Sequence, residues 1–105
     1  MQEITVQELK TMIDEKIDFQ LIDVREEYEY EAANIGGELI PLSQVVDRAD
    51  SISRDKPVIV QCRSGARSAA AVRELESRFG FTNLANLKGG ILAWAKEIDP
   101  TLKVS

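Results

Sequence analysis

Val58-Ile59-Val60-Gln61-Cys62-Arg63-Ser64-Gly65-Ala66-Arg67-Ser68 is the stretch from which the architecture can be read. Val58 to Val60 is apolar and β-branched, which suits a short strand buried on both faces. The run leads to Cys62, the one cysteine in the chain. A polar loop broken by Gly65 follows, and then Val72, Leu75 and Phe79 recur at helical spacing. A helix is therefore predicted from about Arg67 to Phe79, with Gly80 as its closing residue. Strand, loop and helix in this order put the sulfur at the C-terminal end of a strand. The helix N-terminus beside it offers unpaired N–H groups to whatever the loop encloses.

A lone cysteine is ordinarily a small buried hydrophobe. Here Cys62 stands between the apolar run and the polar loop, at a mouth and not in mid-strand. Arg63 and Arg67 follow it by one and five residues, and both favour a thiolate over a thiol, as does an adjacent helix N-terminus. Gly65 permits the positive φ that lets successive amides converge on one point. The stretch thus predicts a reactive thiolate. An arginine that grips phosphate in a tyrosine-phosphatase loop lies six residues after the cysteine, where this chain has Ser68. The ring is one residue too tight for that grip and suits a single extra sulfur atom.

Outward from the loop, the pattern is one of alternating strands and helices. Ile4 opens with an edge strand or arm. Thr5 and Glu8 form a capping box before the stripe Val6, Leu9, Met12 and Ile13, expected to pack on a core. Phe19, Leu21 and Ile22 lead a short buried strand to Asp23. Asp23 and Arg25 read first as a structural pair, the carboxylate capping a turn; the other reading lets Arg25 add positive potential near the thiolate. Glu26 to Ala32 is a short helix whose four glutamates are most simply a solvated face, and at least one of Tyr28 and Tyr30 must lie near the surface. Asn34 to Gly37 is a turn, and Glu38 to Ile40 a strand stopped by Pro41. Leu42, Val45 and Val46 make helical turns with Ser43 as N-cap. Asn83 to Leu87 is the last strand, and Gly89-Gly90 starts a helix carrying Leu92, Trp94 and Ile98, with Trp94 in the core. The expected fold is α/β, one domain over residues 1–105, with a mostly parallel sheet of about five short strands and helices on both faces.

Composition narrows the function classes. With 105 residues, 44% hydrophobic and 30% charged, the chain has an ordinary globular balance. A net charge of −5 argues against nucleic acid or an anionic membrane as partner. One cysteine excludes an internal disulfide, and the absence of histidine removes zinc-finger ligand sets and Cys–His pairs, so no metal is expected. No leader and no apolar run of membrane-spanning length is seen, so a cytoplasmic location is expected.

Four stretches, in order, resemble a known family. Cys62-Arg63-Ser64-Gly65-Ala66-Arg67-Ser68 resembles the active-site loop of rhodanese-type sulfurtransferases. Leu21-Ile22-Asp23-Val24-Arg25-Glu26 is similar to the family's strand-ending Asp-Val-Arg motif. Glu29-Tyr30-Glu31-Ala32, Asn34-Ile35-Gly36-Gly37 and Ile40-Pro41 resemble its Gly-His-Ile segment, with Asn34 where a histidine often stands. Leu87-Lys88-Gly89-Gly90-Ile91-Leu92-Ala93-Trp94 resembles its closing signature. The resemblance implies a sulfurtransferase in which Cys62 is the nucleophile and carries a persulfide. The persulfide would be ringed by the N–H groups of Arg63, Ser64, Gly65, Ala66 and Arg67, with the two guanidinium groups attracting an anionic donor. Asp23 and Arg25 would be scaffold. It implies no cofactor, and as partners a small donor such as thiosulfate or a persulfide-carrying protein. The stretch from Lys88 to Pro100 is similar to the rhodanese domain fused to ubiquitin-activating-like adenylyltransferases, which implies a sulfur-carrier protein as acceptor. Two readings from other classes remain: a non-catalytic binding module engaging a partner through the acidic helix, and a cysteine phosphatase or arsenate reductase.

Overall fold

Alternation along the central strand sorts the side chains into two layers. The computed structural model describes residues 1–104. It contains strands β1 (Glu3–Ile4), β2 (Gln20–Asp23), β3 (Glu38–Leu39), β4 (Val58–Gln61) and β5 (Leu84–Leu87), in the order β1-β5-β4-β2-β3. Every pairing is parallel, so the sheet is wholly and not just mostly so. Helices α1 (Val6–Asp14), α2 (Glu27–Ala32), α3 (Ala66–Phe79) and α4 (Gly90–Glu97) connect and flank the strands. Because successive strand residues point to opposite faces, Val58, Val60 and Cys62 join Ala71, Val72 and Leu75 of α3 in one core cluster. Ile59 points the other way, into a second cluster with Val6 and Leu9 of α1 and Trp94 of α4.

Local sequence accounts for the ends of these elements. The Thr5 hydroxyl accepts from the Glu8 amide at 3.1 Å and the Glu8 carboxylate accepts from the Thr5 amide at 2.9 Å, a complete capping box for α1. Such a cap is worth about 1 kcal/mol. Gly80 ends α3 at φ 68, in the left-handed region. Two expectations change. Leu42–Gln44 is a single 3₁₀ turn entered from Pro41, whose carbonyl takes the Gln44 amide at 2.8 Å, so Ser43 lies inside the turn and caps nothing. Ile13 and Phe79, on predicted core stripes, are 42% and 37% exposed because each sits in the last turn of its helix. A second 3₁₀ turn, Ala49–Ser51, carries no signal in the sequence that was read as helical.

The register positions the site. Asp23 lies opposite Gln61 in the β2–β4 pair. The residues that follow, Val24-Arg25 and Cys62-Arg63, thus leave the sheet side by side at its C-terminal edge, where parallel α/β sheets gather their functional loops.

Candidate active site

Cys62 begins the loop and Gly65 ends it, at φ 106, as the residue preceding α3. That left-handed conformation turns the chain so that donors converge on one sulfur. The Gly65 amide reaches Cys62 Sγ at 3.1 Å and the Ser68 amide at 3.3 Å, and Ser68 Oγ lies 3.3 Å away. Cys62 itself is only 1% exposed, so the sulfur is the floor of the loop and not a group at its mouth; Arg63, Ser64 and Ala66 are the exposed rim. Burial pushes the thiol pKa up, but the Ser68 hydroxyl and the amides of Ser68, Gly65 and Ser64 outweigh it, and the net shift is downward. Ser68 is the third residue of α3, so its amide is one of the free N–H groups at that helix's N-terminus, and it acts on the sulfur together with the Gly65 and Ser64 amides of the loop.

Two further elements hold this ring. Asn86 on β5 donates from Nδ2 to the Gly65 carbonyl at 3.1 Å, and its Oδ1 faces the Ser68 hydroxyl. The single hydroxyl proton goes to Asn86 while Cys62 is a thiol donating to Ser68 Oγ, and to the sulfur once Cys62 is ionised. Asn86 thereby ties together the two residues whose amides touch the sulfur. From the other layer, the start of α4 donates to the loop: Ile91 N to the Cys62 carbonyl at 2.9 Å and Leu92 N to the Arg63 carbonyl at 3.1 Å. In a planar trans peptide the C=O and the next N–H point in opposite directions. Pinning the Arg63 carbonyl toward α4 thus aims the Ser64 amide back at the sulfur. Gly90 makes this approach possible. A Cβ there would lie 2.3 Å from the Cys62 carbonyl oxygen and 2.6 Å from that of Arg63.

Arg67 already has an anionic partner. Its guanidinium makes a bidentate pair with Glu29 of α2, at 2.7 and 2.9 Å. The Arg67 hydrogen bonds hold the Glu29 carboxyl down at about 2, against the opposing push of burial. The same bonds hold the Arg67 pKa above its ordinary value, with a smaller contribution from the charge of Cys62. Asp23 and Arg25 are buried, at 0% and 1% exposure. The Asp23 carboxylate accepts from the Arg25 amide at 3.0 Å, from its guanidinium at 2.8 Å and from Gln61 Nε2 at 2.7 Å. Arg25 also donates to the carbonyls of Glu29 and Ala33. It thus clamps α2 and places Glu29; its hydrogen bonds run to α2 and Asp23, and none of these runs to the loop. Glu29, Ser68, Asn86 and Gly90 are site residues to which the sequence reading gave no role. Glu29, Ser68 and Gly90 all fall within stretches that carry the family resemblance, but composition alone places Glu29 among four solvated glutamates.

Comparison with known proteins agrees with this layout. The model of the rhodanese-like domain matches residues 5–97. YqhL of Bacillus subtilis, an uncharacterized protein, is 45% identical over 80 residues, covering 75% of this chain and 63% of its own length. MoeZ of Mycobacterium tuberculosis, described as a probable adenylyltransferase/sulfurtransferase, is 34% identical over 103 residues, covering 94% of this chain and 26% of its own. The chain therefore spans less than two thirds of either relative. A rhodanese-related protein from Thermoplasma volcanium superposes with a TM-score of 0.84 at 30% identity, covering 100% of both chains.

Proposed function

This chain belongs to the rhodanese-like domain family, and from that membership we propose that it is a sulfurtransferase acting through a persulfide on Cys62. The observation that carries the reading is the convergence of the Gly65 and Ser68 amides on one sulfur. Fixed donors aimed at a single atom stabilise an anion there without reorganising during reaction. They favour the Cys62 thiolate, and the same donors favour the persulfide anion that replaces it. In the first half-reaction the thiolate attacks the outer sulfur of a donor, the donor's S–S bond breaks, and the remainder leaves with the electron pair. In the second half-reaction an acceptor nucleophile attacks the terminal sulfur and Cys62 departs as thiolate. No general base is invoked, because the ring of donors favours the ionised form of the attacking sulfur.

Thiosulfate or a persulfide-carrying protein serves as donor, and cyanide, a thiol or a sulfur-carrier protein as acceptor, in a cytoplasmic setting. The name of MoeZ supports the carrier-linked form of this reading. A cysteine phosphatase receives less support, since the position of the phosphate-gripping arginine is held by Ser68, which is buried and bonded to the sulfur. Intact mass after exposure to thiosulfate or to a low-molecular-weight persulfide tests the proposal. Wild type gains one sulfur and Cys62→Ser gains none; a wild type that gains none from any donor overturns the sulfurtransferase reading.

A further inference from the structure

We propose that Glu29 sets donor specificity at this site by masking Arg67, so that the loop takes its sulfur from persulfides in preference to dianionic donors such as thiosulfate; this rests on the sulfurtransferase reading. The observation is the bidentate pair across the loop, with the Glu29 side chain 12% and the Arg67 side chain 35% exposed. The guanidinium's two terminal nitrogens are committed to a carboxylate that stays ionised at neutral pH. Beyond it, Glu26, Glu27 and Glu31 stand exposed on or beside α2. The electropositive mouth expected from Arg63 and Arg67 thus becomes one in which Glu29 offsets the second charge.

Charge balance makes the consequence specific. Loading from thiosulfate is Cys62–S⁻ + S–SO₃²⁻ → Cys62–S–S⁻ + SO₃²⁻, in which the donor's S–S bond breaks and sulfite leaves with the electron pair. The encounter gathers three negative charges. Loading from a persulfide is Cys62–S⁻ + R–S–SH → Cys62–S–S⁻ + R–SH, in which the donor's S–S bond breaks, the leaving R–S⁻ takes the donor's proton and the encounter gathers one. Like charges at close range resist the first far more than the second, and a masked arginine does little to offset it.

The test is the kcat/KM for sulfur loading onto Cys62, read by mass, from thiosulfate and from cysteine persulfide. It compares wild type, Glu29→Gln and Glu27→Gln, the last removing a charge from the same helix at a residue with no bond to Arg67. Wild type favours the persulfide, and its thiosulfate rate rises with added salt. In Glu29→Gln the thiosulfate rate rises roughly fivefold to tenfold relative to the persulfide rate, the gain expected from one exposed cation facing a dianion. Glu27→Gln changes that ratio by less than about twofold, as suits a screened surface charge. Should Glu29→Gln fold poorly, Glu29→Asp, which keeps the charge but is too short for both bonds, gives an intermediate ratio. An unchanged ratio in the Glu29 variants, an equal shift in Glu27→Gln, or a wild type that uses both donors equally well overturns the proposal. Absence of loading from either donor overturns the sulfurtransferase reading itself.

Discussion

Gly90→Ala places one methyl group where α4 meets the cysteine loop, and the cost can be worked from two sources. Gly90 has φ +58, a conformation that costs an L-residue roughly 1–2 kcal/mol. The new Cβ would meet the Cys62 carbonyl oxygen at 2.3 Å, the Arg63 carbonyl oxygen at 2.6 Å and its carbon at 2.7 Å. All three are backbone atoms, so the clash is relieved only by moving the loop or α4, at a typical overpacking cost of about 1–3 kcal/mol. The sum, about 2–5 kcal/mol, is a large part of the 5–15 kcal/mol a small domain has in hand. Gly80→Ala is the matched control: φ +68, but nothing within 4 Å of the new Cβ, so it incurs the conformational term alone. Urea denaturation of both variants isolates the steric part. The alkylation rate of Cys62 against pH then reports on the site. Displacing the Arg63 carbonyl turns the Ser64 amide away from the sulfur, so the thiol pKa rises in Gly90→Ala and stays put in Gly80→Ala. If the two variants are equally stable and alkylate alike, the buttressing role assigned to α4 is wrong.

Other consequences are open to measurement. Ser68→Ala removes the strongest of the bonds that offset burial of the thiol, so the midpoint of the alkylation–pH profile moves up while far-UV circular dichroism stays native. Asp23→Ala strands the buried Arg25 guanidinium without its carboxylate and is expected to cost about 3–5 kcal/mol in a thermal or urea melt; a loss under about 1 kcal/mol would show that the charge finds water. Glu29 contributes with a defined sign. Its folded pKa, about 2, lies below the ordinary 4.5, so its stabilisation is fully present above pH 4.5 and is lost as pH falls toward 2. At pH 7 Glu29→Gln should be less stable by about 1 kcal/mol, the bidentate geometry discounted for the part-exposed Arg67. The gap between the two melting curves should close across that acid window, and a gap that persists at pH 2 would mean the effect is not one of charge.

What could be read from sequence follows the range of the interactions. The Thr5–Glu8 box, the left-handed Gly80 and the β4 run are written within a few residues, and each was legible without the fold. The loop residues were legible for the same reason, since strand, cysteine, glycine and helix are contiguous. Glu29 was not. It meets Arg67 across 38 residues of chain, and nothing local separates it from Glu27 or Glu31; only the Arg25 clamp on α2 selects it. Asn86 was hidden in the same way, as one polar residue in an otherwise apolar strand. The burial of Cys62 depends on α4 closing over the loop from the far layer, so its neighbours in sequence could suggest a boundary but not the depth of the sulfur. Ser43 failed as a cap because its preference was read without the preceding proline, which starts the turn one residue early.

The sheet's outer margins bear on how such a unit can be carried. β1 and β3, its two borders, are two residues each, while β2, β4 and β5 inside them have four. A border that short displays few unpaired main-chain groups, and a second polypeptide finds little on which to extend the ladder. A fold finished in this way can sit at high local concentration, or be spliced beside other modules, without its sheet adhering to theirs.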